Sequence, residues 1–503
     1  MSESPPTGLR TEVTGPQQIP PRQLMPASRL GRHLRDAAVH VVRTSAPPTM
    51  TLGQRTGGDE VSQQQAREVI DLALRVGEAM LATGASAADT VATVLRLGQA
   101  YGVGSVHVDI TYTSITVSIH RGLEEDPLSV MRVVSGRSPD YTRLEAVQKH
   151  IERIIASAGP GGPTMDVTAA RTKLQKLLAS PHPYRRWVVT LGSSIMSVGV
   201  VMLFGVGPVM WAVAAVSTAL VDRVQRALYR AGVAAFFTQA VSAAVPALFA
   251  LVMFSFGDVI FPDTNFAPSV VVISGIVVLL AGLGVLGAAQ DAVDGYYVTA
   301  AARGLEVMMM TLGIAVGVAL VIGFGRSLGV SMEASAVVSL AGSPLLSTVG
   351  AMLIALGFCL NTYAGLRTII ISVLISALAW MIFASLVALG LAAAMATAVA
   401  ATLVGALAYI AYRRLHVAEA AVATAAIVAL LPGLSVYRSL YLLMQNSAAT
   451  MPQAMVWLVV AMSTGVALAA GLAMGGYLAR RRLGLDRAAL RARRRSRGSH
   501  VTT

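Results

Sequence analysis

The chain of 503 residues is 55% hydrophobic and only 13% charged, and its mean hydropathy is +0.65. Because soluble domains contain about 25% charged residues, this composition excludes a soluble globular protein and predicts an integral membrane protein. A single cysteine, Cys359, excludes an internal disulfide framework. The net charge of +13 leaves nucleic acid and anionic lipid as possible partners of the basic residues.

Residues 1–58 contain eight prolines, scattered arginines and no sustained apolar periodicity. A segment of this kind cannot bury enough surface to offset the entropy lost on ordering, so it is expected to be a disordered tail. It has no apolar core typical of a secretory signal peptide. The N-terminus is therefore expected to stay in the cytoplasm.

Residues 59–180 are predicted to form a cytoplasmic α/β domain. The segment VSQQQAREVIDLALRVGEAMLATG, which ends at Gly84, has its apolar residues on one helical face, and a second helix follows from Ser86. SVHVDIT and SITVSI alternate apolar and polar residues as half-buried strands do, and LSVMRVV is a candidate third strand. Two further helical patterns complete the domain.

Polar residues of this domain do not form a recognisable catalytic motif. His107 and Asp109 share a strand face, but metal-ligand spacing and a G-x-S-x-G nucleophile motif are both missing from the sequence. A polar strand face explains the two residues, so no metal, no cofactor and no enzymatic activity are predicted. A membrane-anchored hydrolase that uses this domain stays open as an alternative.

The rest of the chain predicts an α-helical polytopic membrane protein with about ten transmembrane helices, since a span needs about 20 mainly apolar residues. These form two five-helix units, 187–325 and 344–479. The predicted spans are 187–205, 208–222, 234–256, 268–289, 305–325, 344–362, 368–388, 390–411, 418–437 and 453–478.

Basic residues predict the orientation of these spans. With the N-terminal domain in the cytoplasm, ten spans put almost all loop arginines inside and leave Arg326 outside, in agreement with the positive-inside rule. Residues 480–503 are then a basic cytoplasmic tail. Beside a transmembrane helix, attraction to anionic lipid headgroups explains this tail better than binding of nucleic acid. The protein is therefore expected in the cell membrane with both termini in the cytoplasm.

Two membrane segments share a short sequence pattern. LLAGLGV at 279–285 aligns without gaps with LLPGLSV at 430–436, and GSSIMSVG at 192 resembles GSPLLSTVG at 342. Five spans separate the members of each pair, so the two halves would enter the membrane in opposite directions. The pattern predicts a 5+5 inverted repeat, a common plan of secondary transporters.

The same two segments predict helix breaks. Pro432 removes a backbone donor and Gly433 loosens the chain beside it, while Gly282 occupies the matching place in the first half. Broken helices in corresponding positions indicate a transport site, although a packing kink is the alternative. Polar residues follow each break, and the candidates for substrate binding or transport are Gly282, Asp291, Asp294, Arg303, Glu306, Pro432, Gly433, Tyr437 and Arg438. For Asp291, Asp294 and Arg303 alone, the sequence slightly favours ordinary loop charge over a functional role.

The chain resembles the bacterial threonine/serine exporter family from about residue 65 to residue 480. The resemblance is carried by GEAMLATGASAADTVATVLRLGQAYGV with VDITYTSITVSI, by QDAVDGYYVTAAARGLE and by LLPGLSVYRSLY. It implies a cell-membrane exporter of the small amino acids L-threonine and L-serine, driven by the proton gradient. The family often has Pro-Gly in the fourth span, where this chain has Ala281-Gly282. An uncoupled channel is a further alternative, and the sequence leaves the oligomeric state open.

Overall fold

A computed structural model describes residues 62–103, 106–119, 127–134, 136–158, 164–260, 268–279, 282–329, 343–444 and 449–482. The tail predicted at 1–58 and nearly all of the basic tail predicted at 480–503 lie outside these residues. So do residues 280–281 in the middle of the predicted fourth span.

The N-terminal elements, residues 63–179, combine four helices with a small antiparallel sheet of order β1-β2-β3. Ser62 and Ser86 cap the first two helices by accepting hydrogen bonds from backbone N–H groups three residues later. The strands lie where the alternating sequences predicted them. The elements are α1 Gln63–Thr83, α2 Ala87–Ala100, β1 Val106–Ile110, β2 Ser114–Ile119, β3 Leu128–Val133, α3 Tyr141–Ser157 and α4 Val167–Ala179.

One face of the sheet forms the core of this region. Ile115, Val117 and Ile119 alternate along β2 and are all buried, while the residues between them are half-buried. They pack against the apolar faces of the helices, and at Gly77 of α1 a Cβ atom would lie only 2.8 Å from the Cδ1 atom of Ile115. The close approach fixes the helix α1 on the sheet.

The remaining chain is helical and predominantly apolar. Its helices are α5 Arg186–Leu203, α6 Pro208–Arg230, α7 Ala235–Ile260, α8 Pro268–Leu279, α9 Gly282–Val293, α10 Tyr297–Ser327, α11 Pro344–Asn361, α12 Leu366–Ala388, α13 Ala393–Leu415, α14 Glu419–Ile427, a 3-10 turn Val428–Leu430, α15 Gly433–Met444 and α16 Met451–Arg482.

Seven of the described helices are long and apolar enough to cross a membrane, and the bent pair α8/α9 raises the number to eight. The chain is therefore a multi-pass membrane protein. The other members of the predicted set are α6, whose second half carries charged residues, and the short apolar helix at 419–430 with its continuation α15. Helix α10 begins at Tyr297, eight residues before the predicted start of the fifth span.

Glycines bring several membrane helices into backbone contact. In α5, Cβ atoms added at Gly192 and Gly199 would lie 2.8 Å and 2.6 Å from the carbonyl oxygens of Gly357 and Gly350 in α11. The pairs α7/α10 and α13/α16 also pack closely through glycines. Small residues stabilise membrane helix pairs because they let the backbones approach.

The N-terminal elements contact one end of this helical bundle, here called the capped end. Tyr141 at the start of α3 shares a hydrogen bond of 2.8 Å with Thr424, and its backbone N–H donates to the carbonyl of Thr362 at 3.0 Å. Thr299 donates to the carbonyl of Ile110 at 3.0 Å. These contacts involve α10, α14 and the end of α11, so the N-terminal elements touch both halves of the membrane region.

Candidate functional site

The fourth span is broken between α8 and α9. The two helices are bent by 49° relative to each other, and Gly282 begins the second one. In general, the last carbonyl groups of a helix that ends lack intrahelical partners. Such groups are tolerated in a membrane only where protein or water surrounds them.

Gln239 of helix α7 lies beside this break. Its Nε2 atom is 3.5 Å from the carbonyl oxygen of Leu279, the last residue of α8, at the outer limit of a hydrogen bond. The side chain is buried, and its Oε1 atom has no hydrogen-bond partner among the described residues; the same holds for the hydroxyl of Ser242, three residues later. A buried amide with an unused acceptor is suited to receive an N–H or O–H donor from a small polar ligand.

The ninth span is broken where the sequence predicted it. Leu431 has extended backbone angles, as expected for the residue before a proline, and α14 ends in a 3-10 turn just before it. Gly433 begins α15, and the carbonyl of Pro432 accepts the first helical hydrogen bond from Val436 at 3.0 Å. Pro432 thus separates two helices and does not merely bend one.

Helix α15 packs against α16. The guanidinium carbon of Arg438 lies 4.6 Å from the ring centroid of Trp457 in α16, in a cation–π contact. Ser439, the next residue, is buried and its hydroxyl has no hydrogen-bond partner among the described residues. Tyr437 lies in α15, but its side chain is outside the described part of the structure.

A charged cluster occupies the capped end of the first half. Arg303 of α10 pairs with the fully buried Asp291 of α9 at 2.9 Å, and its guanidinium lies across Gly287, where a Cβ atom would collide with it. Both charged residues lie in helices, so the interpretation of Asp291 and Arg303 as ordinary loop charge is wrong. A buried pair of this kind is costly to break, because the remaining charge cannot be solvated.

Two residues of the N-terminal elements complete the charged cluster. Tyr112, between β1 and β2, donates a hydrogen bond to Glu306 of α10. Burial, with this hydrogen bond to Glu306, raises the pKa of Tyr112 to about 12, so the phenol stays protonated at neutral pH. Arg137 lies over the Tyr112 ring at 4.1 Å and donates to the Tyr112 carbonyl at 2.6 Å. The predicted residues Asp291, Arg303 and Glu306 are thus brought together under a cap that sequence reasoning did not find.

Asp294 lies in the turn after α9, outside the membrane-spanning helices. Burial, reinforced by the negative charges of Asp89 and Asp291, raises its pKa to about 7, against a smaller opposite effect of Arg480. Asp89 lies in the first turn of α2, and Arg480 pairs with Glu419 at 3.1 Å. Carboxylates and an arginine from both halves therefore meet near the capped end, and one carboxyl exchanges its proton near neutral pH.

The predicted residues belong to two groups. Asp291, Asp294, Arg303 and Glu306 lie at the capped end of the first half, whereas Pro432, Gly433 and Arg438 belong to the broken ninth span.

Sequence reasoning missed five residues of these sites, namely Gln239, Ser242, Ser439, Tyr112 and Arg137. Gln239 and Ser242 had a signal, because two polar residues three apart in the apolar stretch FFTQAVSAAV indicate a polar helix face. The contacts of Tyr112 and Arg137 with the membrane helices had no sequence indication, since they depend on tertiary packing.

Comparison with protein families gives a direct match to this architecture. Residues 71–325 match a family model (ThrE) described as "Putative threonine/serine exporter", and residues 347–477 match a second model described as "Threonine/Serine exporter, ThrE". The chain belongs to the threonine/serine exporter family. The resemblance found in the sequence is confirmed, and membership in a family of exporters makes the protein a transporter and not an enzyme.

Two curated members of the exporter family are similar over most of their length. A protein of Mycobacterium tuberculosis named "Probable threonine/serine exporter" is 34% identical over 432 residues, which cover 84% of this chain and 79% of that protein. The "Threonine/serine exporter" of Corynebacterium glutamicum is 32% identical over 444 residues, or 87% of each chain. No solved structure matches the chain.

Proposed function

We propose that this exporter moves L-threonine and L-serine out of the cytoplasm. The observation that carries the proposal is the similarity over most of the chain to two proteins named as threonine/serine exporters. Two broken spans with buried, unpartnered polar atoms at Gln239, Ser242 and Ser439 support a transport site for a small polar molecule. These groups can exchange hydrogen bonds with the amino, carboxyl and hydroxyl groups of the substrate.

The transport unit is a 5+5 inverted repeat of ten spans. Equivalent helix pairs support it: α7 packs on α10 as α13 packs on α16, and α5 packs on α11 across the proposed two-fold axis. Glycines at these contacts recur at one constant separation in sequence, as Gly192 with Gly350 and Gly313 with Gly471.

The contact between α5 and α11 agrees with a two-fold axis in this register. If Gly192 corresponds to Gly350 and Gly199 to Gly357, the axis requires Gly192 to meet Gly357 and Gly199 to meet Gly350, and both contacts are present. The register differs from the sequence match of 192–199 with 342–350, which pairs Gly199 with Gly350 as equivalent residues.

The capped end faces the cytoplasm of the cell, and both termini lie there. The basic loops predicted inside lie at the helix ends that contact the N-terminal elements, which supports this orientation. The basic tail at 480–503 then binds anionic headgroups of the inner leaflet. A reporter inserted in the 257–266 loop should be external and one after Arg413 internal, and cytoplasmic labelling of the first site would contradict ten spans.

Export is coupled to protons through Asp294. A carboxyl whose pKa is about 7 changes its charge near neutral pH, and its position at the end of the broken fourth span allows that charge to bias the helix. Proton binding at Asp294 would favour one orientation of α9, and proton release the other. Asp294 thus links the proton gradient to the break beside Gly282.

Efflux from proteoliposomes tests this function. Vesicles loaded with labelled threonine, serine, alanine, leucine or lysine are placed in medium that contains the same labelled amino acid at an equal concentration, with or without an imposed pH gradient. Threonine and serine should leave faster than the other amino acids, and the gradient should accelerate their efflux against a concentration difference. Flux that never exceeds equilibration would replace the coupled exporter by a channel, and equal rates for all five amino acids would reject the proposed substrates.

The coupling step needs its own variant. Asp294→Asn keeps the shape of the side chain but cannot release a proton, so it should still exchange labelled threonine for unlabelled threonine without net efflux against a concentration difference. Glu145→Gln, at a surface carboxylate of α3, serves as the matched control and should export normally. Full coupling in Asp294→Asn would assign the proton to another group.

A further inference from the structure

A cavity of about 610 Å³ lies within the N-terminal elements, away from the broken spans. Helices α1, α3 and α4 and the segment that follows β3 form its walls. Its size is within the range of about 300–1,000 Å³ that is typical of small-molecule sites. Its most unusual feature is the presence of five arginines in the lining, namely Arg75, Arg132, Arg137, Arg143 and Arg171.

The acidic residues around the cavity balance only part of this charge. Glu78 pairs with Arg132, and Asp140 pairs with Arg143 at 3.4 Å. Asp71 lies within 3.3 Å of Arg171 and within 2.8 Å of Arg75. Among the described residues, five guanidinium groups thus face three carboxylates, which leaves a surplus of two positive charges.

One guanidinium group also has an unused donor. The Nε atom of Arg143 is buried and faces Oδ2 of Asp140 at 3.4 Å in their ion pair, without the geometry of a hydrogen bond to any described residue. Its Nη2 atom donates to the carbonyl of Ser180 at 2.7 Å. The neighbouring carboxylate of Asp140 is already shared, because it accepts from the backbone N–H of Arg143 and contacts Nδ1 of His182 at 2.8 Å. Buried donors usually have a well-aligned partner, so a further acceptor in the cavity would improve the surroundings of this guanidinium group.

We propose that this cavity binds a small phosphate-bearing molecule. The planar fork of arginine matches phosphate oxygens in a bidentate way. A phosphate group with nearly two negative charges at neutral pH balances the surplus charge and supplies acceptors for Arg143. Attraction between the arginines and this group, in a partly enclosed cavity, is screened less than on an open surface.

The bound molecule would act on the membrane helices through two walls of the cavity. Arg137 lines the cavity and lies over Tyr112, whose hydroxyl holds Glu306 of α10. On the other side, the ring of His182 stacks on Tyr363 at 4.3 Å, just after α11. Binding of a molecule in the cavity therefore regulates export. This regulatory role rests on the proposed function, whereas the existence of the binding site does not depend on it.

Binding is measured with the full-length protein in nanodiscs, by isothermal titration calorimetry. The probes are inorganic pyrophosphate, ATP and citrate, each in discs of neutral lipid and in discs with anionic lipid. Pyrophosphate or ATP should bind saturably in neutral discs and less tightly at high salt. Binding of citrate as tight as that of both phosphates would overturn the phosphate assignment. If pyrophosphate and ATP bind in neutral discs but not in anionic discs, the anionic lipid competes for the cavity. That result would assign the site to a lipid headgroup and overturn the proposal of a soluble ligand.

Charge variants in the lining locate the site without breaking an ion pair. Gln175 lines the cavity and is exposed to it, so Gln175→Glu should weaken pyrophosphate binding about fivefold to tenfold, and Gln175→Lys should strengthen it. Arg153→Gln removes a surface charge elsewhere on α3 and should leave the affinity unchanged. Equal affinity in all three variants would place any binding outside the cavity and overturn the proposal.

Regulation is tested by adding pyrophosphate on the capped side during threonine efflux. A change in rate in the unmodified protein that is lost in Gln175→Glu supports regulation, and an unchanged rate with proven binding overturns it. Failure of basal efflux without ligand would count against the proposed function and leave the binding result in place.

Discussion

Each half of the membrane region contains a pair of helices separated by a break, but the surroundings of the two breaks differ. In the first half, the helix after the break leads to a buried ion pair of Asp291 with Arg303, covered by Tyr112 and Arg137 of the N-terminal elements. In the second half, the helix after the break carries Arg438 against Trp457. The charged side chains that follow the break therefore differ between the two halves.

This difference indicates separate roles for the two breaks. In the first half, burial raises the pKa of Asp294 to about 7, and contacts to elements outside the membrane lie nearby. In the proposed function, this end of the molecule is therefore the place for coupling and control. The other break has one arginine on an aromatic ring and a proline that fully separates two helices. It is suited to opening and closing without a change of charge.

The largest effect is expected from the ion pair of Asp291 with Arg303 at the capped end of the first half. Arg303→Gln leaves Asp291 buried and unpaired, which should destabilise the folded protein by about 3–5 kcal/mol. Threonine efflux at matched protein level should fall at least tenfold. Thermal unfolding in detergent and efflux from vesicles measure the two effects.

A double variant distinguishes charge from shape at this pair. Asp291→Asn combined with Arg303→Gln removes both charges and should recover most of the stability but not the transport. Arg226→Gln in α6 removes the partner of a less buried carboxylate, Asp222, and should cost less. If Arg303→Gln alone behaved like Arg226→Gln, the ion pair would have no special role.

The glycine contact between α5 and α11 tests the similarity of the two halves. An alanine methyl group at Gly192 would lie 2.8 Å from the carbonyl oxygen of Gly357, and one at Gly350 would lie 2.7 Å from that of Gly199. Each substitution should destabilise the protein by about 1–3 kcal/mol, because the helices must separate. The two losses should be equal within error if a two-fold axis relates the helices.

A third glycine provides the control for helix propensity. A methyl group added at Gly323 in α10 would meet no neighbouring atom within 4 Å, so Gly323→Ala should stabilise the helix slightly, by about 0.5–1 kcal/mol. Thermal unfolding of the three single variants in one detergent compares them directly. A loss at Gly192 without one at Gly350 would argue against equivalent halves.

Much of the backbone plan was predictable from the sequence, for local reasons. The residue before Pro432 is driven into extended backbone angles by its own covalent neighbour, so the break in the ninth span has a short-range cause. The strand β2 was likewise predictable, since Ile115, Val117 and Ile119 alternate. Such features depend on residues close in sequence.

The polar site was less predictable, because it depends on contacts between distant segments. Arg303 looked like loop charge until packing showed Asp291 beside it, and the cap over Glu306 comes from Tyr112, far away in the chain. Gln239 is one amide in an apolar helix, and only the fold brings it near the carbonyl of Leu279. Composition alone cannot identify such partners.

Stability should depend on pH through Asp294. Its pKa in the folded protein, about 7, is above the ordinary value of 3.8, so the folded state holds more protons than the unfolded state between these two pH values. Stability is therefore greatest below about pH 4 for this group and falls as the pH rises to about 7, by at most about 1.4 kcal/mol per pH unit.

Asp294→Asn should remove this contribution to the slope. The measurement is the unfolding temperature in detergent at several pH values from about 4.5 to about 8, compared between the unmodified protein and the variant. The two curves should converge at low pH, where Asp294 is protonated, and diverge above it with the variant more stable. Parallel curves would show that Asp294 does not titrate in this range.

The smallest effect is expected at the break beside Pro432, where Arg438 contacts Trp457. Lysine at position 438 keeps the positive charge but lacks the planar fork of arginine. The cation–π contact between residue 438 and Trp457 is worth about 0.5–1 kcal/mol at an exposed site.

If Arg438 only anchors α15 on the aromatic ring, Arg438→Lys should retain threonine efflux within about twofold. Trp457→Leu should then weaken the anchor in the unmodified protein and in the lysine variant alike. If Arg438 instead holds the substrate carboxylate, lysine should raise the KM for threonine severalfold while Trp457→Leu leaves it unchanged. Since the ring already occupies one face of the guanidinium, we expect the first result, and a selective rise in KM would move substrate binding to the ninth span.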